Sequence, residues 1–188
     1  MSCDAHKLAV TRRFLDWADV DLIRELTALL DRDRDVVVVD LGAGSGTTAG
    51  AVWAERSQRI RITTYDIDPT NLHWSGVFMS NIGAAIDEAW QGHLKDSTEA
   101  AADWGDESID LLMLDTSHTY EQTVAELAAW LPKVRRDGWV WCHDYRGDYP
   151  GVTQAIDDLV GAGDIETWKV EGLGWSGNRP RMTQPEAA

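Results

Sequence analysis

Val36-Val37-Val38-Val39-Asp40-Leu41-Gly42-Ala43-Gly44-Ser45-Gly46 decides the fold. Four consecutive valines suit a strand buried on both faces, as in a parallel sheet covered by helices. The glycines that follow end the strand and let backbone N–H groups approach a ligand. Thr47 to Glu55 reads as the next helix. Strand, glycine turn and helix together form the first half of a nucleotide-binding βαβ unit.

The chemistry of the turn narrows the ligand. Its spacing is G-x-G-x-G, not the dinucleotide pattern G-x-G-x-x-G, and Asp40 stands just before it. A carboxylate there repels a pyrophosphate and attracts an ammonium group. S-adenosylmethionine carries an ammonium group, a ribose and an adenine, and no phosphate. A second acid, Asp66, ends the next apolar run, Ile60 to Tyr65, about 20 residues beyond the glycines, where a ribose-binding acid is expected. On these residues the chain resembles the class I S-adenosylmethionine-dependent methyltransferases. The plainer alternative is a glycine-rich turn with no ligand and an acid in a loop.

Working outward, Lys7 to Leu30 reads as one amphipathic helix, with Phe14, Ala18, Leu22 and Leu26 on one face. After Asp66, Asp68-Pro69 signals a helix start, with Asp68 as N-cap, and the pattern carries that helix through Leu72, Val77 and Ile82 toward Glu88. Trp90 to Leu94 is a short third strand ending in Lys95-Asp96-Ser97, and Glu99 to Trp104 a helix. Ile109 to Leu114 is a fourth, buried strand, and Glu121 to Leu131 the following helix, stopped near Pro132. Asp137-Gly138 reads as a turn before a fifth strand, Trp139 to Cys142. Pro150-Gly151 opens a helix through Val160, Glu166 to Val170 is a sixth strand, and Gly172 to Trp175 turns into a seventh. The expectation is an α/β, Rossmann-like, doubly wound and mostly parallel seven-stranded sheet. Residues 1–188 form a single domain: helix and turn over 1–35, the core over 36–182 and a tail over 183–188.

Composition bounds the function. Lys and Arg number 17 against 32 Asp and Glu, a net charge of −15, so a phosphate backbone meets repulsion and no nucleic-acid partner is expected. The only dense basic clusters, Arg12-Arg13 and Lys133 with Arg135 and Arg136, read as short solvated helix ends. No apolar run approaches membrane-span length and Met1 to Val10 lacks a signal-peptide core, so no membrane partner and a cytoplasmic location are expected. Cys3 and Cys142 form no metal-type pair, and Cys142 reads as a small core residue. Of the ten tryptophans, Trp53, Trp74, Trp90 and Trp175 are candidates for a ligand pocket or an interface.

Two strand endings concentrate chemistry: Asp115 with His118 after the fourth strand, and His143 with Asp144 after the fifth. If those strands are neighbours, Asp115, His143 and Asp144 converge beside the bound cofactor, and two carboxylates with an imidazole suit Mg²⁺ or Mn²⁺. Asp115-x-x-His118-x-Tyr120-Glu121, Lys133-x5-Trp139, His143-Asp144-Tyr145 and Tyr149-Pro150-Gly151-Val152 resemble the methyltransferase family 24 group, which includes O-methyltransferases of sugars and antibiotics and has cephalosporin-hydroxylase-like relatives. The resemblance spans roughly Val36 to Val160. It implies that S-adenosylmethionine binds across Asp40, Gly42, Ala43, Gly44, Ser45 and Gly46, with Asp66 and Ile67 at the ribose, Asp96 and Ser97 near the adenine, and Asp115 beside the cofactor. It implies a metal set of Asp115, His143 and Asp144; His143 stands where the family often has an acid, and Thr116 where it often has a glycine. Asp115, His118 and His143 are the candidates for taking the acceptor's proton, His118 being the first choice without a metal. Tyr120 and Tyr145 read as packing residues. Asp96, Asp115 and Asp144 each have the plain reading of a helix cap, and His118 of a loop hydrogen bond.

The expected function is O-methylation of a small hydroxylated acceptor. The alternatives are N-methylation, modification of a macromolecule, or a non-catalytic cofactor-binding protein; a nicotinamide-dependent dehydrogenase is disfavoured by the glycine spacing and Asp40. No large inserted substrate domain is present, which leaves the pocket open or completed by a partner subunit, for instance in a homodimer.

Overall fold

A computed structural model describes residues 15–30, 33–54 and 59–178. Its centre is the valine strand β1 (Val36–Leu41), hydrogen-bonded on one side to β2 (Ile60–Asp66) and on the other to β4 (Ile109–Leu114), both parallel. With β3 (Trp90–Leu94), β5 (Val134–Cys142), β6 (Glu166–Glu171) and β7 (Gly174–Asn178) these form one sheet in the order β3-β2-β1-β4-β5-β7-β6. The first five strands are parallel, and β7 runs antiparallel to both β5 and β6. Only Gly172 and Leu173 separate β6 from β7, too few residues for a parallel crossover, so that pair closes as a hairpin.

Alternation along the strands divides the core in two. Val36 and Val38 face α1 (Trp17–Leu29), α2 (Thr47–Trp53) and α3 (Pro69–Asn81), with Leu22, Ile23, Leu26 and Met79 packed over them. Val39 and Leu41 face the opposite way, toward α5 (Tyr120–Trp130) and α6 (Pro150–Ala162), with Leu127, Trp130 and Ile156. A short α4 (Ser97–Ala100) and a 3₁₀ turn (Ala101–Asp103) stand where one helix from Glu99 to Trp104 is expected.

Several boundaries differ from the sequence pattern. The long N-terminal helix begins only at Trp17: the side chain of Asp16 accepts the N–H of Asp19 and caps it, and the stretch from Lys7 to Phe14 lies outside the described residues. Helix α2 is described through Trp53, and Glu55 lies outside as well. Helix α3 stops at Asn81 and not near Glu88, the chain turning at Gly83 with φ +82°. Asp137-Gly138 is not a turn. It lies within β5, where Ile109 pairs with Val134 but Leu111 with Trp139. The extra residues bulge, and Arg135 reaches the buried carboxylate of Asp110 at 3.2 Å, beside Arg34. Lys133 and Arg136 pair with Asp106 and Glu107, so this cluster is held by acids, partly within a strand; Arg12-Arg13 and Cys3 lie outside the described residues. Cys142 is core, as its setting suggests, and burial pushes its thiol far up. No helix among the described residues is long and apolar enough to cross a membrane.

The register aligns the chemistry. Leu41 pairs with Leu114, and Leu114 with Cys142, so β1, β4 and β5 end level. The ladder runs one step further: Asp115 N–H donates to Leu41 O at 2.9 Å and His143 N–H to Leu114 O at 3.0 Å. Gly42, Asp115 and His143 therefore leave the sheet side by side at its carboxyl edge, where open α/β sheets bind ligands.

Candidate active site

The turn after β1 lines a cleft of about 440 Å³, a size suited to a cofactor. Gly42, Ala43, Gly44 and Ser45 form one wall. Gly42 has φ +94°, and a Cβ there would lie 1.8 Å from the carbonyl oxygen of Asp115, so the approach of the β1 and β4 ends requires glycine. The second wall comes from the β2 end, with Asp66 and the 74 % exposed Ile67, and the third from Asp96 and Ser97 after β3. Asp115 closes the inner end.

Asp66 organises its side of the cleft. Its Oδ2 accepts the Ala43 N–H at 2.9 Å and an Asn71 Nδ2–H at 3.2 Å, and its Oδ1 accepts the Asp68 N–H at 2.7 Å. One carboxylate thus ties the glycine turn to the start of α3 while facing the cleft. Asp96 caps α4, accepting from the N–H groups of Thr98 and Glu99; the Thr98 hydroxyl bond leads in holding its carboxyl below the usual range. Its expected role as a cap is thus present, and it lines the cleft as well.

Asp40 and Gly46 are not among the cleft walls. Asp40, two residues past Val38, falls on the α1–α3 face of the sheet and is fully buried. Its Oδ2 accepts the Thr64 hydroxyl at 3.1 Å, and burial pushes its carboxyl up to about 8. The candidate tryptophans are elsewhere too: Trp90 and Trp175 are core, Trp53 packs against the core and Trp74 lies outside the cleft. The aromatic ring at the cleft is Tyr65.

Beside the inner end, Asp115, His118 and Asp144 bring one ligand atom each within 4.8 Å of one another. His118 Nε2 lies 2.9 Å from Asp115 Oδ1 and 3.0 Å from Asp144 Oδ2, and its ring stacks on Tyr149. The backbones of His118 and Asp144 are both left-handed, at φ +60° and +58°, which places local strain at the residues that meet. The hydrogen bond to Asp115, then that to Asp144, raises the His118 imidazole to about 9. His143 stands behind this group. Its Nδ1 is 3.1 Å from Asp144 Oδ2 and 3.6 Å from Asp115 Oδ1, and its Nε2 is 3.3 Å from Asp19 Oδ2 on α1. Burial pulls this imidazole down, but the three carboxylates override it and push it up to about 12. Burial likewise raises Asp115 and Asp144, and their bonds to the two histidines hold both below the usual carboxylate range. Of the expected metal set Asp115, His143 and Asp144, the two acids meet with His118 in place of His143, because His143 Nε2 is turned toward Asp19 on α1 and its ring stands behind the acids.

Sequence reasoning missed Gln122 and Glu126. Glu126 is completely buried and accepts from the Ser97 hydroxyl, from Thr116 Oγ1 at 2.8 Å and from Gln122 Nε2 at 3.1 Å. Ser97, Thr116 and Gln122 all line the cleft, so Glu126 fastens the ends of β3 and β4 together from below. The available signal was their i, i+4 spacing on one face of α5. Tyr120 and Tyr145 are structural, their hydroxyls donating to Asp158 and Asp157.

Residues 39–145 match the Methyltransf_24 family model, a methyltransferase domain, which covers more than half of the chain. Among solved structures, a methyltransferase from Geobacter sulfurreducens has 18% identity and a TM-score of 0.68, over 93% of this chain and 86% of that one. The O-methyltransferase NovP has 17% identity and a TM-score of 0.64, over 86% and 79%. Geranyl diphosphate methyltransferase in complex with S-adenosylmethionine has 10% identity and a TM-score of 0.60, over 86% and 85%. At these identities the structures speak to the fold. No curated protein matches in sequence. With the family match spanning the glycine turn through the His143-Asp144 ending, the chain belongs to the Methyltransf_24 family and is an S-adenosylmethionine-dependent methyltransferase.

Proposed function

We propose that the protein transfers the methyl group to a hydroxyl oxygen of a small polar acceptor, of sugar or natural-product type. The observation that carries this reading is the Asp115–His118–Asp144 group at the inner end of the cofactor cleft, with His118 Nε2 between two carboxylates. An alcohol must lose its proton as it attacks, and this group is placed to take it. In the reaction the acceptor's O–H bond gives way to O–CH₃, the sulfonium's S–CH₃ bond breaks to a neutral thioether, and the proton passes to the cluster. Such a displacement depends heavily on positioning, which Asp66 and Glu126 supply by fixing the cleft walls.

The same donors fit a divalent cation: two carboxylates, the hard oxygen donors that Mg²⁺ and Mn²⁺ take, stand with a borderline imidazole donor, their ligand atoms mutually within reach. Asp115, His118 and Asp144 would hold it, with His143 behind. The chemistry it supplies when bound is Lewis-acid lowering of the acceptor hydroxyl's pKa. His118 serves as the base of a metal-free reaction.

The acceptor is not a polynucleotide on this reading. The net charge is −15, and the described basic cluster is tied up by Asp106, Glu107 and Asp110. The test is release of S-adenosylhomocysteine over a panel of hydroxylated acceptors, with chelator and with Mg²⁺ or Mn²⁺ restored. Turnover with a hydroxylated acceptor supports the proposal; turnover only with amines, or sub-micromolar low-salt DNA or RNA binding with methylation of the polymer, overturns it. Full turnover in excess chelator leaves the metal-free reaction.

A further inference from the structure

We infer that Asp19, on the N-terminal helix, is a positioning residue that fixes the imidazole of His143 against Asp115 and Asp144 and so makes α1 part of the site. The inference rests on the reading above, in which His143 supports the two acids from behind.

Asp19 is 0% exposed, and a carboxylate so placed is costly unless a cation or donor compensates it. His143 Nε2, at 3.3 Å, is the cationic group within ion-pair distance of Asp19 among the described residues. The contact is a charge pairing and not an aligned hydrogen bond, so it acts through placement of charge. The ring is held on every side: Asp19 at Nε2, Asp144 and Asp115 at Nδ1, and the Trp141 ring stacked at 5.6 Å with 27° between planes. Rotating the imidazole by half a turn would present carbon to both ends, so the carboxylates select one orientation, as outer carboxylates do for histidines at metal and catalytic sites.

Asp19 also has a local task, and it does not account for the burial. It is the N3 residue of a capping box: its N–H donates to Asp16 Oδ1 at 2.9 Å, and its Oδ2 accepts the Asp16 N–H at 3.1 Å. A capping box works equally well at a solvated helix end. The same Oδ2 that closes the box faces His143, so the register at which α1 starts sets the position of the charge. A slip of one residue would take the carboxylate away from the ring.

Asp16 separates the two roles, because it shares the box but makes no contact with His143. The experiment uses full-length protein labelled with ¹⁵N-histidine, with H143Q identifying the His143 ring signals. D19N is expected to shift those signals and leave those of His73 and His93 in place, while D16N, which removes the neighbouring charge but keeps an oxygen acceptor for the Asp19 N–H, leaves all of them. D19S, which keeps a short acceptor for the box but cannot reach the ring, replaces D19N if the latter does not fold. In methyl transfer, D19N is expected to lower kcat at least tenfold with an unchanged KM for S-adenosylmethionine. D16N should change kcat less than twofold, and D19N should add nothing in the H143Q background. Unmoved His143 signals in D19N, or equal movement in D16N, would overturn the inference. The ring signals need no acceptor, so a wild type without methyl transfer would count against the proposed function, and the comparison of D19N with D16N would still decide this inference.

Discussion

Replacing Gly42 by alanine tests how closely the cofactor turn and the acid of the reaction centre are built together. The added Cβ would lie 1.8 Å from the Asp115 carbonyl oxygen and 2.8 Å from its carbon, whereas ordinary contact begins near 3.4 Å. The ends of β1 and β4 must therefore part by about 1.6 Å, against the Asp115 N–H to Leu41 O bond that joins them. Overpacking of this kind costs about 1–3 kcal/mol. The left-handed backbone adds about 1–2 kcal/mol for a residue with a side chain. For a domain of this size each kcal/mol is roughly 2–4 °C, so the melting temperature should fall by about 4–20 °C. Gly44 is the control: its φ is +45° and nothing lies within 4 Å of an added Cβ, so G44A should show the backbone cost alone. Circular dichroism melts of both variants measure this, and titration calorimetry with S-adenosylhomocysteine should show the larger affinity loss in G42A. A G42A melting point within about 2 °C of that of G44A would refute the steric argument.

Asp66→Ala should weaken S-adenosylhomocysteine binding by at most roughly 2–3 kcal/mol, the scale of lost hydrogen bonds to a charged group, and unchanged affinity by calorimetry would remove Asp66 from the cofactor site. Glu126→Gln leaves one of the Ser97 and Thr116 hydroxyls without its acceptor and should cost about 1–3 kcal/mol in denaturant unfolding, with weaker cofactor binding; an unaltered midpoint and affinity would show that the buried carboxylate does not fasten the cleft. If His118 is the base, metal-free methyl transfer should rise with pH through about 9, and a flat profile from pH 7 to 10 would exclude it. Because its folded value lies above its ordinary 6.5, the stability its protonated ring contributes is complete below about 6.5 and lost as pH rises through about 9. The pH dependence of melting in H118Q should lack that loss.

Some of this was legible in the residues alone. The valine run, the glycine spacing, the alternation of strand and helix patterns and the family resemblance give the Rossmann-like class, because burial on both faces and positive φ leave local marks in sequence. The same holds for Asp68 and Asp96 as caps, whose bonds span only two or three residues. Three-dimensional structure decided what depends on distant partners. Asp40 is next to the glycines in sequence, but strand alternation turns it into the core, out of the cleft. His143 and His118 look interchangeable beside their acids, and only the level ends of β4 and β5 put His118 between Asp115 and Asp144, with His143 behind. Asp137-Gly138 has the composition of a turn, yet the buried charge of Asp110 draws Arg135 inward and keeps the segment in the sheet. Beyond the i, i+4 spacing of Gln122 and Glu126, neither Glu126 nor Asp19 carries a local sign of its role, since each is defined by groups brought to it from other elements: Ser97 and Thr116 from the strand ends, and His143 from the end of β5 on the face that α1 covers. A sequence records what a residue does to its neighbours along the chain. Which buried charge meets which is fixed only when the sheet register and helix packing bring them together, because burial makes each such charge depend on a partner that local sequence does not name.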